Sequence, residues 1–351
     1  MNVINLLSTG GVSLARTEEI IDDLGRAEGV YVNPCPYIKF ESPDQLTLEV
    51  IPTTIGGSSK IWDGTVEYCL LDPDEESNWN EWDGLIITST INKIFLRGIN
   101  NTIFDTHSAL GHGFTLGGSN ISCMGNIENL LDYTTVSAGE HPIMRDSCFS
   151  GLFYGNRNLI SIQLTLPAMT LTSNCYSFMF SDTGINIPPA LPATKLADGC
   201  YWAMFRDCTN LMTAPALPTL DLYNASGCYQ EMFSGCTSLV QAPALPATIL
   251  SESCYSQMFS GCVNLETLPS LPALEITHYS YYGMFLGCVK IKLATESSGE
   301  YITPYRIPIT GNGSVFTQSL YSMFSETGGT FTGQPDINTT YYTSNTVINP
   351  N

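Results

Sequence analysis

Charged residues are scarce in this sequence, and basic residues are the scarcest. Only 13% of the 351 residues are charged, against roughly a quarter in ordinary globular domains. Thirteen Lys and Arg stand against 33 Asp and Glu, which gives a formal net charge of -20. Binding to a phosphate backbone needs clustered basic side chains that displace counterions. The composition therefore excludes nucleic acid as an expected partner.

Long apolar runs are also missing. No stretch approaches the roughly 20 apolar residues of a membrane-spanning helix, so we expect no membrane insertion. Residues 1–16 lack the charged start and the apolar core of an export signal peptide. These features predict assembly in a reducing cytoplasm, where cysteines stay as free thiols.

Motifs of catalysis and metal binding are absent as well. The twelve cysteines form no CxxC pair, and none of the four histidines lies in HExxH. There is no GxSxG, no phosphate-binding glycine loop and no dinucleotide fingerprint. We therefore predict a non-enzymatic protein with no cofactor and no metal. A glycan-active enzyme is a remote alternative, because a glycosidase needs only two well-placed carboxylates.

One acidic run, DPDEESNWNEWDG at 72–84, has carboxylates at alternate positions, as calcium loops do. Ser77 occupies the place that needs glycine, and the terminal glutamate is missing, so an acidic hairpin loop is the expected structure. Trp79 and Trp82 could stack on sugar rings, but we expect them to form a small core for this loop.

What the sequence does contain is an internal repeat. Clear copies begin at Cys200 (CYWAMFRDCTNLMTAPALP), Cys228 (CYQEMFSGCTSLVQAPALPAT) and Cys254 (CYSQMFSGCVNLETLPSLPAL), 28 and 26 residues apart. Looser copies begin at Cys148, Cys175, Ser280 and Ser319. A fixed period of this length is typical of a solenoid, in which each unit contacts its neighbours.

Each copy has two halves. In CYxxMFxGC the Cys and Met lie four residues apart, which predicts one face of a short helical turn, flanked by the Phe. The proline-containing half predicts a short extended segment. One copy cannot bury Met232, Phe233 and Leu239 alone, so we expect the copies to stack and Leu211, Leu239 and Leu265 to form an internal row. Burial of each such side chain contributes roughly 1.5–3 kcal/mol.

The repeated cysteines and tyrosines allow several interpretations. Cysteine pairs eight residues apart (200/208, 228/236 and 254/262) are best explained as ladders of small buried side chains, with disulfides and metal as lesser alternatives. The tyrosine after each first Cys recurs at Tyr176, Tyr201, Tyr229, Tyr255 and Tyr281. We predict a packed ladder of rings, with an exposed binding stripe as the alternative.

The repeat, CYxxMFxGCxxLxxAPxLPAT, resembles the BspA-like leucine-rich repeats of bacterial surface proteins and of phages that infect gut bacteria. The resemblance covers about residues 148–325, and the segment before it is similar to the β-rich module that often precedes such repeats. It implies adhesion or recognition without catalysis, and it supplies no catalytic residues.

The expected fold is therefore β-rich, with a small N-terminal β-sandwich and a leucine-rich-repeat solenoid of short strands and short helical turns. Residues 1–35 are predicted as an anchor or leader, 36–119 as the sandwich-like domain, 120–325 as the solenoid and 326–351 as a cap or tail. Short β-branched or aromatic runs predict strands at 37–40, 46–51, 65–71, 84–91 and 93–97.

Candidate binding residues are those that vary between copies. Equivalent positions after the internal leucine carry Met212 and Thr213, Val240 and Gln241, and Glu266 and Thr267. A long insertion before Ser319 adds Tyr301, Tyr305 and Arg306, residue types enriched at interface hot spots. The predicted partner is a host cell-surface protein or glycan.

The expected setting is a virion, as a phage fibre or decoration protein that needs no export signal. Residues 1–35 would then bind other virion proteins, and a homo-oligomer is expected from fibre symmetry. The alternative is a secreted bacterial adhesin at the cell surface.

Overall fold

The computed structural model describes residues 36–50, 61–71, 73, 78–104, 113–308 and 318–349. Within these ranges the protein is β-rich, and its strands form several sheets. The predicted anchor, residues 1–35, and most of the acidic half of the 72–84 run lie outside the described residues.

The strands and the helix are numbered in chain order. The N-terminal region has β1 (Ile38–Glu41), β2 (Thr47–Val50), β3 (Thr65–Cys69), β4 (Asn80–Glu81), β5 (Ile87–Thr88), β6 (Lys93–Ile99), β7 (Phe114–Gly117), β8 (Ile121–Asn126) and α1 (Asn129–Ser137). The repeat region and the tail have β9 (Leu159–Thr165), β10 (Thr267–Pro269), β11 (Lys292–Ala294), β12 (Thr303–Arg306), β13 (Gly328–Gly329), β14 (Thr340–Thr343) and β15 (Thr346–Ile348).

Two sheets form the N-terminal region. One has six strands in the order β4-β3-β6-β1-β8-β9, and the other has three in the order β5-β2-β7. Burial alternates along β1 and β2, as expected where one face of a strand packs on a core. The two sheets share that core, because Phe40 on β1 packs edge to face against Phe114 on β7 at 6.3 Å.

The larger sheet continues past the domain boundary predicted at residue 119. β8 lies inside the sheet, between β1 and β9. β9 belongs to the Cys148 copy of the repeat and runs parallel to β8. The N-terminal sheet and the first repeat copy are therefore one continuous structure.

From the Cys148 copy to the Ser280 copy, each repeat begins with a run of turns and not with the predicted short helical turn. Every fourth residue of the run has a positive φ, as at Gly199 (59°), Ala203 (51°) and Asp207 (60°). A right-handed α-helix needs negative φ throughout. The backbone reversals therefore rule out a helix, and this part of the predicted fold was wrong.

The hydrogen bonds of these runs alternate between two directions. Tyr201 N donates to Cys228 O of the next copy at 3.1 Å, whereas Trp202 N donates three residues back to Gly199 O at 2.9 Å. The same alternation recurs from the Cys148 copy to the Ser280 copy. Each run thus satisfies its own backbone and also pairs with its neighbour, so successive copies are stacked through the main chain as well as through side chains.

Aromatic rings from successive copies stack inside this region in two ladders. Ring centroids of neighbouring phenylalanines are 5.5–5.8 Å apart, with planes within 8°. That ladder contains Phe153, Phe180, Phe205, Phe233, Phe259, Phe285 and Phe324. The other ladder has spacings of 5.8–6.0 Å. It contains Phe149, Tyr176, Tyr201, Tyr229, Tyr255 and Tyr281.

The two ends of the stack are covered by the flanking segments. On the N-terminal side, Phe104 extends the second ladder by stacking on Phe149 at 5.9 Å. The buried amide of Asn156 accepts from Leu116 N at 2.8 Å and donates to Phe114 O at 2.6 Å. On the C-terminal side, β15 pairs with β10, and β13 and β14 pair with β11. Both ends of the apolar interior are thus shielded from water.

Candidate functional site

The internal leucine row predicted from the sequence is present and positions the variable residues. Leu211, Leu239 and Leu265 are fully buried. The residues after each leucine are hydrogen-bonded through the main chain to the equivalent residues of the preceding copy. Met212 N donates to Asn186 O, and Glu266 N donates to Val240 O. The exposed residues at these positions form a strip across the stack, which we call the variable strip: Met212, Thr213, Val240, Gln241 and Glu266.

The variable strip exposes apolar as well as polar chemistry. Met212 is 54% exposed and Val240 is 40% exposed. Glu266 at one end pairs with Lys290, with the Nζ to Oε1 distance at 2.6 Å. Side chains of this kind do not contribute to the core, so the strip is available to a partner.

Two of the predicted binding residues are interior residues. Thr267 lies on β10, and its hydroxyl accepts a hydrogen bond from Ala242 N at 2.8 Å. Tyr305 lies on β12, is 1% exposed, and donates its hydroxyl to Pro269 O at 3.0 Å. Burial removes both side chains from contact with a partner, and it also makes the insertion a structural part of the fold.

The other two insertion residues are accessible but lie on a different element. Arg306 is exposed on β12 and donates to Asn338 Oδ1 at 2.5 Å. Tyr301 is partly exposed, at a bridge with Ser298. β12 pairs with β14 of the tail. The structure therefore places Tyr301 and Arg306 with the C-terminal sheet and not within the variable strip.

The tyrosine row is the ladder described above, and its rings are fully buried. The alternative of an exposed binding stripe was wrong for these residues. Trp82 is likewise a core residue, stacked on Trp62 at 5.1 Å. Trp79 packs against the guanidinium of Arg97 at 4.2 Å. Both tryptophans therefore pack against the N-terminal region, and not in a small core of the loop's own as predicted.

The second cysteine of a repeat copy has a specific structural role. Sγ of Cys236, Cys262 and Cys288 each donates to a phenylalanine carbonyl oxygen of the preceding copy at 3.0 Å. Donation requires a protonated thiol. Burial raises the pKa of these thiols, to about 12 for Cys288.

A surface groove that the sequence analysis missed crosses three successive copies. Its lining includes Tyr154, Arg157, Asp182, Asp207, Thr209 and Asn210, and its volume is about 460 Å³. The groove lies where the Cys175 copy is one residue short. Phe180 and Ile185 are five residues apart, whereas the equivalent pair in the next copy, Phe205 and Leu211, is six apart.

Glycine is required at the bottom of this groove. A Cβ on Gly184 would lie 2.2 Å from the carbonyl oxygen of Arg157. The short copy therefore lies close against the backbone of the previous copy at this point. The shortened spacing was visible in the sequence, but its effect on the surface was not.

Within the described ranges, no three His, Cys, Asp or Glu side chains are grouped so that they could hold a metal ion. No helix in the same ranges is long and apolar enough to span a membrane.

No protein-family model, curated protein or solved structure matches this chain.

Proposed function

We propose that this chain is a non-enzymatic recognition protein that presents a leucine-rich-repeat solenoid, capped by a small N-terminal β-sandwich, to a host cell surface. One observation carries the proposal. Positions that repeat between copies are buried and stacked, whereas the residues of the variable strip are exposed and differ in chemistry. Buried positions must carry similar residues in every copy, because each stacked ring must fit its neighbour. Exposed positions on a binding surface can differ from copy to copy.

The expected partner is a protein or glycan on that surface. The variable strip combines exposed Met212 and Val240 with polar Thr213 and Gln241, a mixture typical of protein interfaces. Arg306 on β12 and Tyr301 just before it form a second candidate surface. A glycan-active enzyme is the remote alternative.

The proposed setting is a virion, in a fibre or decoration protein attached through residues 1–35 and assembled as a homo-oligomer. The support is the resemblance of the repeats to those of phages that infect gut bacteria. A surface adhesin of a bacterium is the alternative, since the same repeats occur there.

Binding can be tested with the purified full chain, fluorescently labelled and titrated onto intact bacterial cells. Met212→Asp with Val240→Asp should weaken cell binding at least tenfold without changing the melting temperature, because both side chains are exposed. Ile249→Asp is the matched control, since Ile249 is 48% exposed but lies nine residues beyond Val240 in the same copy. Equal loss in the control, or no loss in the double variant, would contradict the proposal.

The setting is tested separately with gold-labelled antibody against the chain. Labelling of phage particles would support the virion. Labelling of bacterial envelopes in the absence of particles would show that the adhesin alternative is correct.

A further inference from the structure

The groove over Gly184 differs from the rest of the stack in more than one way. Gly155, Gly235, Gly261 and Gly287 occupy one left-handed position in four copies, with φ of 74–77°. Three other copies carry an acidic residue at the same position: Asp182 (φ 55°) and Asp207 (φ 60°) line the groove, and Glu326 (φ 59°) lies in the last copy. Two aspartates therefore replace glycine along the groove.

This replacement is unfavourable for the backbone, although Asp182 gains an ion pair with Arg157 of the preceding copy. A left-handed backbone is less favourable for any residue with a Cβ than for glycine. The Asp207 carboxylate also lies over Gly235, where a Cβ would meet its Oδ1 at 2.2 Å.

The side chains along the groove form an alternating set of donors and acceptors. Arg157 Nε donates to both carboxylate oxygens of Asp182, at 2.9 and 3.1 Å, and its side chain is 77% exposed. The Asp207 side chain is 54% exposed and lies 3.4 Å from Arg206 Nε. Thr209 and Asn210 add a hydroxyl and an amide, and Tyr154 adds a partly exposed ring.

We propose that this groove binds a neutral saccharide, a mono- or disaccharide unit of a surface glycan. Its volume of about 460 Å³ falls within the roughly 300–1,000 Å³ of small-molecule sites. Carboxylates accept from sugar hydroxyls, guanidinium and amide groups donate to them, and a tyrosine ring can lie against the apolar face of a sugar. Two carboxylates against one guanidinium in the lining disfavour phosphates and acidic sugars.

The inference names a ligand class for the recognition role and so rests on the proposed function. Its test uses saturation-transfer NMR on the full chain with defined probes: the methyl glycosides of glucose, galactose, mannose and N-acetylglucosamine, then lactose, chitobiose and sialyllactose. At least one neutral probe should bind. Asp182→Gly with Asp207→Gly should weaken that binding at least tenfold and leave the melting temperature equal or higher, because glycine suits the left-handed backbone.

Glu326→Gly is the matched control, since Glu326 (φ 59°) occupies the same left-handed position in the last copy, outside the groove. It should bind as the wild type does. The inference is overturned if no neutral probe binds, if the double glycine variant binds normally, if EDTA abolishes binding, or if sialyllactose binds better than lactose.

Cell binding separates the two proposals. If the double glycine variant still binds cells while no neutral probe binds the wild type, the saccharide inference fails and the recognition role stands. If the wild type binds a neutral probe but no cells, the recognition role fails in its proposed form.

Discussion

Mild alkali should unfold this protein, because its interior holds many thiols that cannot ionise while it is folded. Burial, through desolvation, raises the pKa of ten cysteines in the described ranges, and the value reaches about 12 for Cys200, Cys208, Cys254 and Cys288. The other six are Cys123, Cys148, Cys175, Cys228, Cys236 and Cys262.

The direction of the effect follows from proton linkage. An unfolded thiol has a pKa of about 8.5, so above that pH the unfolded chain loses protons that the folded chain keeps. The stabilisation is therefore complete below about pH 8.5 and is lost progressively as the pH rises toward the folded pKa. Each thiol then removes about 1.4 kcal/mol from the free energy of unfolding per pH unit.

Ten thiols together give a steep dependence. The loss amounts to roughly 8 kcal/mol at pH 9 and about 14 kcal/mol at pH 9.5, whereas whole domains are stable by only about 5–15 kcal/mol. We expect the midpoint of unfolding at 25 °C to fall between about pH 9 and pH 10. Buried tyrosines such as Tyr229, whose pKa desolvation raises far above normal, add to the loss at higher pH.

The assay is equilibrium urea unfolding followed by tryptophan fluorescence, from pH 7 to pH 10, with a reductant present. Cys228→Ser with Cys254→Ser should reduce the limiting slope from about 14 to about 11 kcal/mol per pH unit, because two titrating groups are removed. Ser280 and Ser319 already occupy the equivalent position in later copies, so serine fits there. A urea midpoint that stays constant from pH 8 to pH 10 would refute the reasoning.

Three further predictions concern the interior. Phe233→Ala removes a fully buried ring from the middle of the phenylalanine ladder and should cost about 3–5 kcal/mol in urea unfolding; an unchanged midpoint would contradict the stacked arrangement. Tyr305→Ala should cost a similar amount, because the ring is buried and its hydroxyl bonds to Pro269 O, and a loss within 0.5 kcal/mol would mean that the insertion is not structural. Thiol titration of the denatured, unreduced protein should find most cysteines reactive, and fewer than half would indicate disulfides.

The repeated interior could be predicted from the sequence because repetition and burial have the same cause. Stacked copies place identical residues against each other, so a side chain such as Leu239 or Met232 must recur in register. Five of the eight N-terminal strands (β1, β2, β3, β5 and β6) overlap the predicted runs, because β-branched and aromatic residues alternate with polar ones in segments such as β1 and β2, whereas β4, β7 and β8 were missed. The continuity of the sheet through β9 could not be predicted, since pairing between distant segments leaves no local pattern.

The runs of turns were mispredicted because their spacing is close to that of a helix. Cys200 and Met204 lie four residues apart, which fits one face of a helix and equally fits a turn that repeats every four residues. The distinguishing signal was a second pattern, the recurrence of glycine four residues apart, as at Gly151 and Gly155 or Gly283 and Gly287. Glycine at that spacing indicates left-handed positions and disfavours a helix.

Substitutions at one left-handed position distinguish the predicted helical turn from the observed run of turns. The two structures predict opposite orders of stability for a glycine and an alanine variant. Gln257 has a φ of 51° and lies in the middle of the run that begins the Cys254 copy. In a helix, alanine there would be more stabilising than glycine by about 1 kcal/mol. In the observed turn, glycine should be the more stabilising by roughly 0.5–1 kcal/mol. A Cβ in the left-handed conformation raises the free energy of the folded state by more than glycine loses in conformational entropy on folding. Both Gln257→Gly and Gln257→Ala remove the same polar side chain, so urea unfolding of the pair measures the backbone preference alone, and a more stable alanine variant would favour the helical turn.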